Sequence, residues 1–242
     1  MCIRDRDRRF VGAISLIIVV VAMLAFQGAY AMNAPDDADK IIVDDAVIES
    51  IDNSTMTAII SGSEIDLFAK GRWVVISDEI ETMPWIEVMK YVEPGDAVVA
   101  MATVTRGNQT GDVLLGIKQG DLILVRPILL KHCAKHHKHA SSYLSFRGTL
   151  IETKENYMIL ERGGHRVIAL ANGKWIKAGG EEDVTWADVR GEFKPGDEIR
   201  LFYHDITVFN EKFENLTGIK ALVWSYSGAI LDLTSGTTLS RK

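Results

Sequence analysis

Cysteine is almost absent from this 242-residue chain, which holds only Cys2 and Cys133. That excludes a disulfide framework, and it excludes zinc ribbons and knuckles built from CxxC pairs. An intermolecular bridge through Cys133 remains compatible with the count. Catalytic signatures are missing too. There is no GxSxG, HExxH or P-loop, and no GxGxxG leading into a helix. Nor is there an excess of positive charge, since the formal net charge is −6. Such a chain repels phosphates, so no nucleic-acid partner is expected. The remaining composition, 47% hydrophobic and 25% charged, is that of an ordinary globular chain of one or two domains.

What is present begins with an export signal. "MCIRDRDRRF" is a charged lead, "VGAISLIIVVVAMLAFQGAY" carries the apolar run, and Ala29-Tyr30-Ala31 is a small-x-small ending. Residues 1–31 read as a secretory signal peptide. The alternative is an uncleaved membrane anchor, because the 23 residues from Phe10 to Met32 exceed the ~20 that cross a bilayer. Under either reading Arg4, Arg6, Arg8 and Arg9 stay inside, and the domains are expected outside the cytoplasmic membrane, secreted or anchored. Any membrane contact is expected through this segment alone. The opening "MCIRDR" resembles translated sequencing adapter, so Cys2 supports no inference. Loss of residues 1–31 removes four arginines and two aspartates and takes the net charge from −6 to −8.

The chain then repeats itself. "GRWVVISDEIETMPWIEVMKYVEPGDAVV" from Gly71 matches "GKWIKAGGEEDVTWADVRGEFKPGDEIRL" from Gly173. Trp73 aligns with Trp175, Trp85 with Trp186, Pro94-Gly95-Asp96 with Pro195-Gly196-Asp197, and "GIK" at 116–118 with "GIK" at 218–220. The offset holds at 101–102 residues, as expected of a duplicated domain. The expected layout is a linker at 32–43, a first β-barrel repeat at 44–126, a His/Lys-rich linker at 127–142, a second repeat at 143–227 and a tail at 228–242. Short β-type runs such as "AVIESI", "TAIIS", "YMILE" and "HRVIAL" precede a short helix in each copy. Thr82 and Thr185 are the expected helix caps, and the PGD turns the expected stops. Three strands, a helix and two or more strands resemble, in order, tandem OB-fold-like small β-barrels of exported proteins. The expected fold is therefore mainly β: two tandem OB-like barrels, each with one short helix. One larger β-sandwich is the rival architecture.

Candidate sites are few. Trp73 and Trp175, beside glycine turns, are candidate ligand-stacking platforms. Trp85 and Trp186 sit at apolar helical positions and read as plugs of the barrel end. "GGEEDVTW" at 179–186 reads as helix-capping chemistry, not as a Ca²⁺ loop. His165 and His204 have no partner at ligand spacing. "KHCAKHHKH", residues 131–139, concentrates four of six histidines. On a helix begun at Pro127, His132 and His136, and likewise Cys133 and His137, stand one turn apart. With His139 they form the candidate site for Zn²⁺ or Cu²⁺; no other cofactor is expected. The same segment also reads as a basic connector able to touch an anionic envelope polymer, more strongly as imidazoles gain protons below about pH 6.5. Asn53, Asn108 and Asn215 head N-x-S/T sequons in expected turns and are candidate glycosylation sites. The functional expectation is an exported, non-enzymatic binding or structural module that contacts an envelope polymer, glycan or protein. A metal-binding protein using residues 132–139 is the alternative.

Overall fold

The computed structural model describes residues 40–104, 111–180, 182–224 and 228–241. The expected export segment, residues 1–31, and the sequon at Asn108 lie outside the described residues. The chain is mainly β, with few short helices. It divides into two compact units. The first takes the residues up to Val75, Glu81–Gln119 and Leu124–Lys131; the second takes Ile76–Ile80, Gly120–Ile123 and His132–Lys242.

The first sheet contains β1 (Lys40–Ile51), β2 (Thr55–Ile60), β3 (Ser63–Phe68), β4 (Arg72–Ile76), β5 (Ile80–Pro84), β6 (Ala97–Val104), β7 (Val113–Gln119) and β8 (Leu122–Val125). Its strand order is β3-β2-β1-β6-β7-β8-β4-β5, and Phe68 lies parallel to Val113 where β3 also meets β7. Period-2 patterning builds it: in β2, Met56, Ala58 and Ile60 point inward while their neighbours are half exposed.

The second sheet contains β9 (Ala134–Thr153), β10 (Tyr157–Arg162), β11 (His165–Leu170), β12 (Lys174–Lys177), β13 (Asp183–Thr185), β14 (Glu198–Phe209), β15 (Ile219–Trp224), β16 (Ala229–Asp232) and β17 (Thr238–Arg241). Its order is β13-β12-β17-β16-β14-β15-β11-β10-β9, and a pairing of β14 with β9 closes a five-stranded barrel. Gly163 and Gly164 have φ of 61° and 78° and turn β10 into β11, the positive φ values that a two-residue hairpin demands. In β14, Ile199, Leu201 and Tyr203 face the core; a bulge at His204 flips the alternation, and Ile206 and Val208 take over.

The same local bonds recur in both units. Gly95 N–H donates to Ile48 O at 2.7 Å and Ile48 N–H to Asp96 O at 3.0 Å; Gly196 N–H donates to Leu150 O at 2.8 Å and Leu150 N–H to Asp197 O at 2.8 Å. Both glycines have φ of 95°, where a side chain is strained, which is why the turn reads PGD twice. The strand register slips at Glu49 in β1 and at Ile151 in β9, one residue past the docked turn in each case.

The short helix expected in each repeat falls in its place with one change of cap, and the second unit adds a helix that was not expected, Glu211–Thr217. Trp186–Val189 starts after Thr185, whose N–H and hydroxyl both donate to Asp188 at 2.8 and 2.6 Å. Trp85–Val88 starts after Pro84, not after Thr82. Thr82 is inside β5, two residues too early, and its buried hydroxyl has no hydrogen-bond partner. Proline takes the cap position because its fixed φ suits entry into a helix.

Two segments assigned from sequence to connectors are structured. Residues 127–142 split into a helix, Pro127–Cys133, and the start of β9. Residues 228–242 supply β16 and β17, which pair with β14, with each other and with β12. In both places an available neighbouring strand satisfies backbone groups that a free tail would leave to water.

Asp52 closes the β1–β2 turn. Its carboxylate accepts from Ser54 N–H at 2.6 Å, Thr55 N–H at 2.7 Å and the Thr55 hydroxyl at 2.8 Å. The Ser54 amide above all, with Thr55, pulls its pKa from 3.8 down to about 2. A carboxyl depressed in the folded state stabilises above its unfolded pKa, and that contribution disappears as pH falls from about 4 to about 2. Asp52→Asn should therefore lower stability at neutral pH and flatten its fall between those pH values, read from urea midpoints across the range.

Candidate binding surface

The four tryptophans proposed as platforms or plugs are all interior. Trp73 and Trp175 are both 0% exposed, and Trp85 and Trp186 are nearly so. In the first unit, Trp73 Nε1–H donates to Ala69 O at 2.8 Å and Trp85 Nε1–H to Asp52 O at 2.8 Å, with ring centroids 5.4 Å apart. In the second, Trp175 Nε1–H donates to Ala171 O at 2.8 Å and Trp186 Nε1–H to Lys154 O at 2.9 Å. Phe193 packs 5.4 Å from Trp186. An arginine sits over the outer indole of each unit: Arg126 at 5.6 Å from Trp73, and Arg241 at 4.6 Å from Trp175. Arg241 also donates to Lys174 O and Asn172 O, both at 2.9 Å, and Arg126 donates to Lys70 O. Burial holds the Arg126 pKa below its ordinary value. Trp73 and Trp175 thus present no indole face to a ligand. Sequence reasoning missed the arginine lids because Arg126 and Arg241 lie 53 and 66 residues beyond their tryptophans.

The histidine segment is not the expected helix. The helix stops at Cys133, and His136, His137 and His139 lie on β9. There side chains alternate between faces, so the i, i+4 pairing is lost. His137 stands opposite Thr207, with Nδ1 3.1 Å from its hydroxyl, and His139 opposite Asp205, with Nδ1 2.7 Å from its carboxylate. His136 and Lys138 take the other face. His204 Nδ1–H donates to Ala140 O at 2.9 Å and stacks at 4.1 Å on Tyr143, which is 55% exposed. His132, on the helix, is exposed, whereas Cys133 is buried, its thiol pKa pushed up by that burial. Among the described residues no three His, Cys, Asp or Glu side chains converge as a metal-holding group.

The other candidates scatter. Asn53 is exposed in the β1–β2 turn. Asn215 is exposed on the helix Glu211–Thr217, not in a turn, and the hydroxyl of its sequon partner Thr217 is buried and donates to Phe213 O at 2.7 Å. His165 has the partner that sequence spacing could not reveal. Its Nδ1 lies 2.6 Å from Glu214, whose other oxygen accepts from Lys220 at 2.6 Å; Lys220 and then His165 hold that carboxyl below its usual range. In the first unit Glu81, Met83, Glu87, Lys90 and Tyr91 line an open depression of about 390 Å³. No family model and no curated protein matches the chain.

Two outcomes follow. Trp175→Ala should lower stability by about 3–5 kcal/mol in urea unfolding, as removal of a buried plug does. Zinc titration of the full chain should give equally weak binding before and after His136→Ala/His137→Ala/His139→Ala; sub-micromolar binding lost in the variant would restore a metal centre.

Proposed function

We propose that the chain is an exported, non-enzymatic module of two tandem OB-like barrels that binds, or holds in place, a partner at the cell surface. In the second unit the order β9-β10-β11-β15-β14 closes on itself, with β11 and β15 parallel. The order β1-β2-β3-β7-β6, with β3 and β7 parallel at Phe68 and Val113, supports the same reading of the first. First, second, third, fifth and fourth strand around a ring, with the third and fifth parallel, is the OB arrangement. The carrying observation is the filled interior. Tryptophans occupy both cores and direct their N–H groups to the main chain, which leaves the outer surfaces for any partner. The pattern of residues 1–31, a charged lead, an apolar run and a small-x-small ending, supports locating those surfaces outside the cytoplasmic membrane.

Co-sedimentation of the full chain with isolated envelopes of the source cells tests this. The expected result is a chain that pellets with the envelope, keeps its tryptophan near-UV circular dichroism and releases no envelope fragments. A chain that stays in the supernatant, or that liberates fragments, overturns the reading.

A further inference from the structure

We propose that the exposed edge of β9 and the helix turn before it bind a linear polyanion. The proposal rests on the surface-module reading and names its partner class. From Leu122 to Ile151 the sequence has no aspartate or glutamate, in a chain with 33 of them. The same stretch carries Arg126, Lys131, Lys135, Lys138 and Arg147 and four of the six histidines. Positive charge is therefore local in a chain of net −6.

The fold displays that charge. Lys131, His132, Lys135, His136, His137, Lys138 and His139 are all exposed. Over 134–147, β9 pairs with β14 along one edge. Pairing with β10 begins only at Thr149, so among the described residues no strand covers the other edge. His137 and His139 stand on one face of that edge, His136 and Lys138 on the other. At about 3.3 Å per residue, Lys135 to His139 alone spread charge over roughly 13 Å. A row of that length with no enclosing pocket matches a chain of anionic groups and not a single small ion. Lysines flanking an edge also oppose addition of another strand. Charge recognition of a polymer is thus favoured over strand addition.

Lys131, Lys135 and Lys138 supply the positive charge of the row. Other groups face it. On β14 they are Asp205, paired with His139; His204, bonded to Ala140 O; and Thr207, beside His137. Farther along, Arg147 neutralises Glu198, and Arg200 lies by Ser145. The helix Glu211–Thr217 brings Glu211 and Lys212, of opposite sign, and Asn210 N–H donates to Cys133 O at 2.8 Å.

The test is equilibrium binding of the full chain to inorganic polyphosphate and to poly-L- and poly-D-glutamate at neutral pH. Expected is saturable binding. It should weaken on the order of twentyfold between about 50 and about 200 mM salt, as displacement of some three counterions requires. Lys131→Gln/Lys135→Gln/Lys138→Gln should lose affinity. Near-UV circular dichroism checks that the variant folds. Tighter binding of polyphosphate marks phosphate polymers as the source, and tighter binding of both glutamate polymers marks carboxylate polymers; either supports the proposal. Binding of poly-L-glutamate alone overturns it in favour of strand addition, because main-chain pairing depends on chirality and charge does not. A folded variant that binds as the parent does overturns it as well. A chain that pellets with envelopes yet binds none of the three polymers overturns the partner and leaves the module standing; a chain that degrades them overturns the module.

Discussion

Each unit hangs on two indole N–H groups directed at main-chain carbonyls. A buried N–H without a partner is destabilising by roughly 1–3 kcal/mol. Each tryptophan must therefore meet one particular oxygen, and that fixes where the chain passes. Trp73 and Trp175 bind the carbonyl four residues before them, at Ala69 and Ala171. Trp85 and Trp186 reach back more than thirty residues to Asp52 and Lys154, at the turn after the first strand. The second bond ties the short helix to the far end of the opening hairpin. The PGD turn then docks on Ile48 or Leu150 in that same first strand. Helix, turn and first strand form one clamp, and the register of the sheet follows from it.

With the interior committed to packing, chemistry is left to the periphery. The most eventful periphery belongs to the paired strands β9 and β14. β9 is 20 residues long, and its first half outruns its pairing with β10. The bulge at His204 moves the side packed on the barrel core from Ile199, Leu201 and Tyr203 to Ile206 and Val208, while Thr207 and Phe209 are buried on the other face. It also turns His204 onto Ala140 O and against Tyr143. A strand edge built this way would invite pairing with other chains; lysine and histidine along it oppose that, and they also make the polymer contact proposed above.

The repeat, the strand-rich character, the PGD turns and the Thr185 cap were legible in the sequence, because each rests on neighbours within a few residues or on a constant offset. Position in a glycine turn made Trp73 and Trp175 look accessible, but burial depends on what returns to cover them. The covering groups, Arg126 and Arg241, arrive from β8 and β17, far along the chain. The partner of His165 was hidden for the same reason, since Glu214 lies on a helix 49 residues later.

Local order alone determined the β content, the duplicated pattern and the residues that turn the chain, since φ preferences and period-2 burial act residue by residue. Tertiary structure decided the fate of residues 127–142 and 228–242. Helical spacing in "KHCAKHHKH" was real, but a helix past Cys133 would have competed with a ladder offered by β14 from Asp205 to Phe209. Short helices are marginal without packing, and these residues have little apolar surface to pack, so the ladder wins. That one outcome separates the histidines onto two faces and turns a candidate metal helix into a charged strand edge.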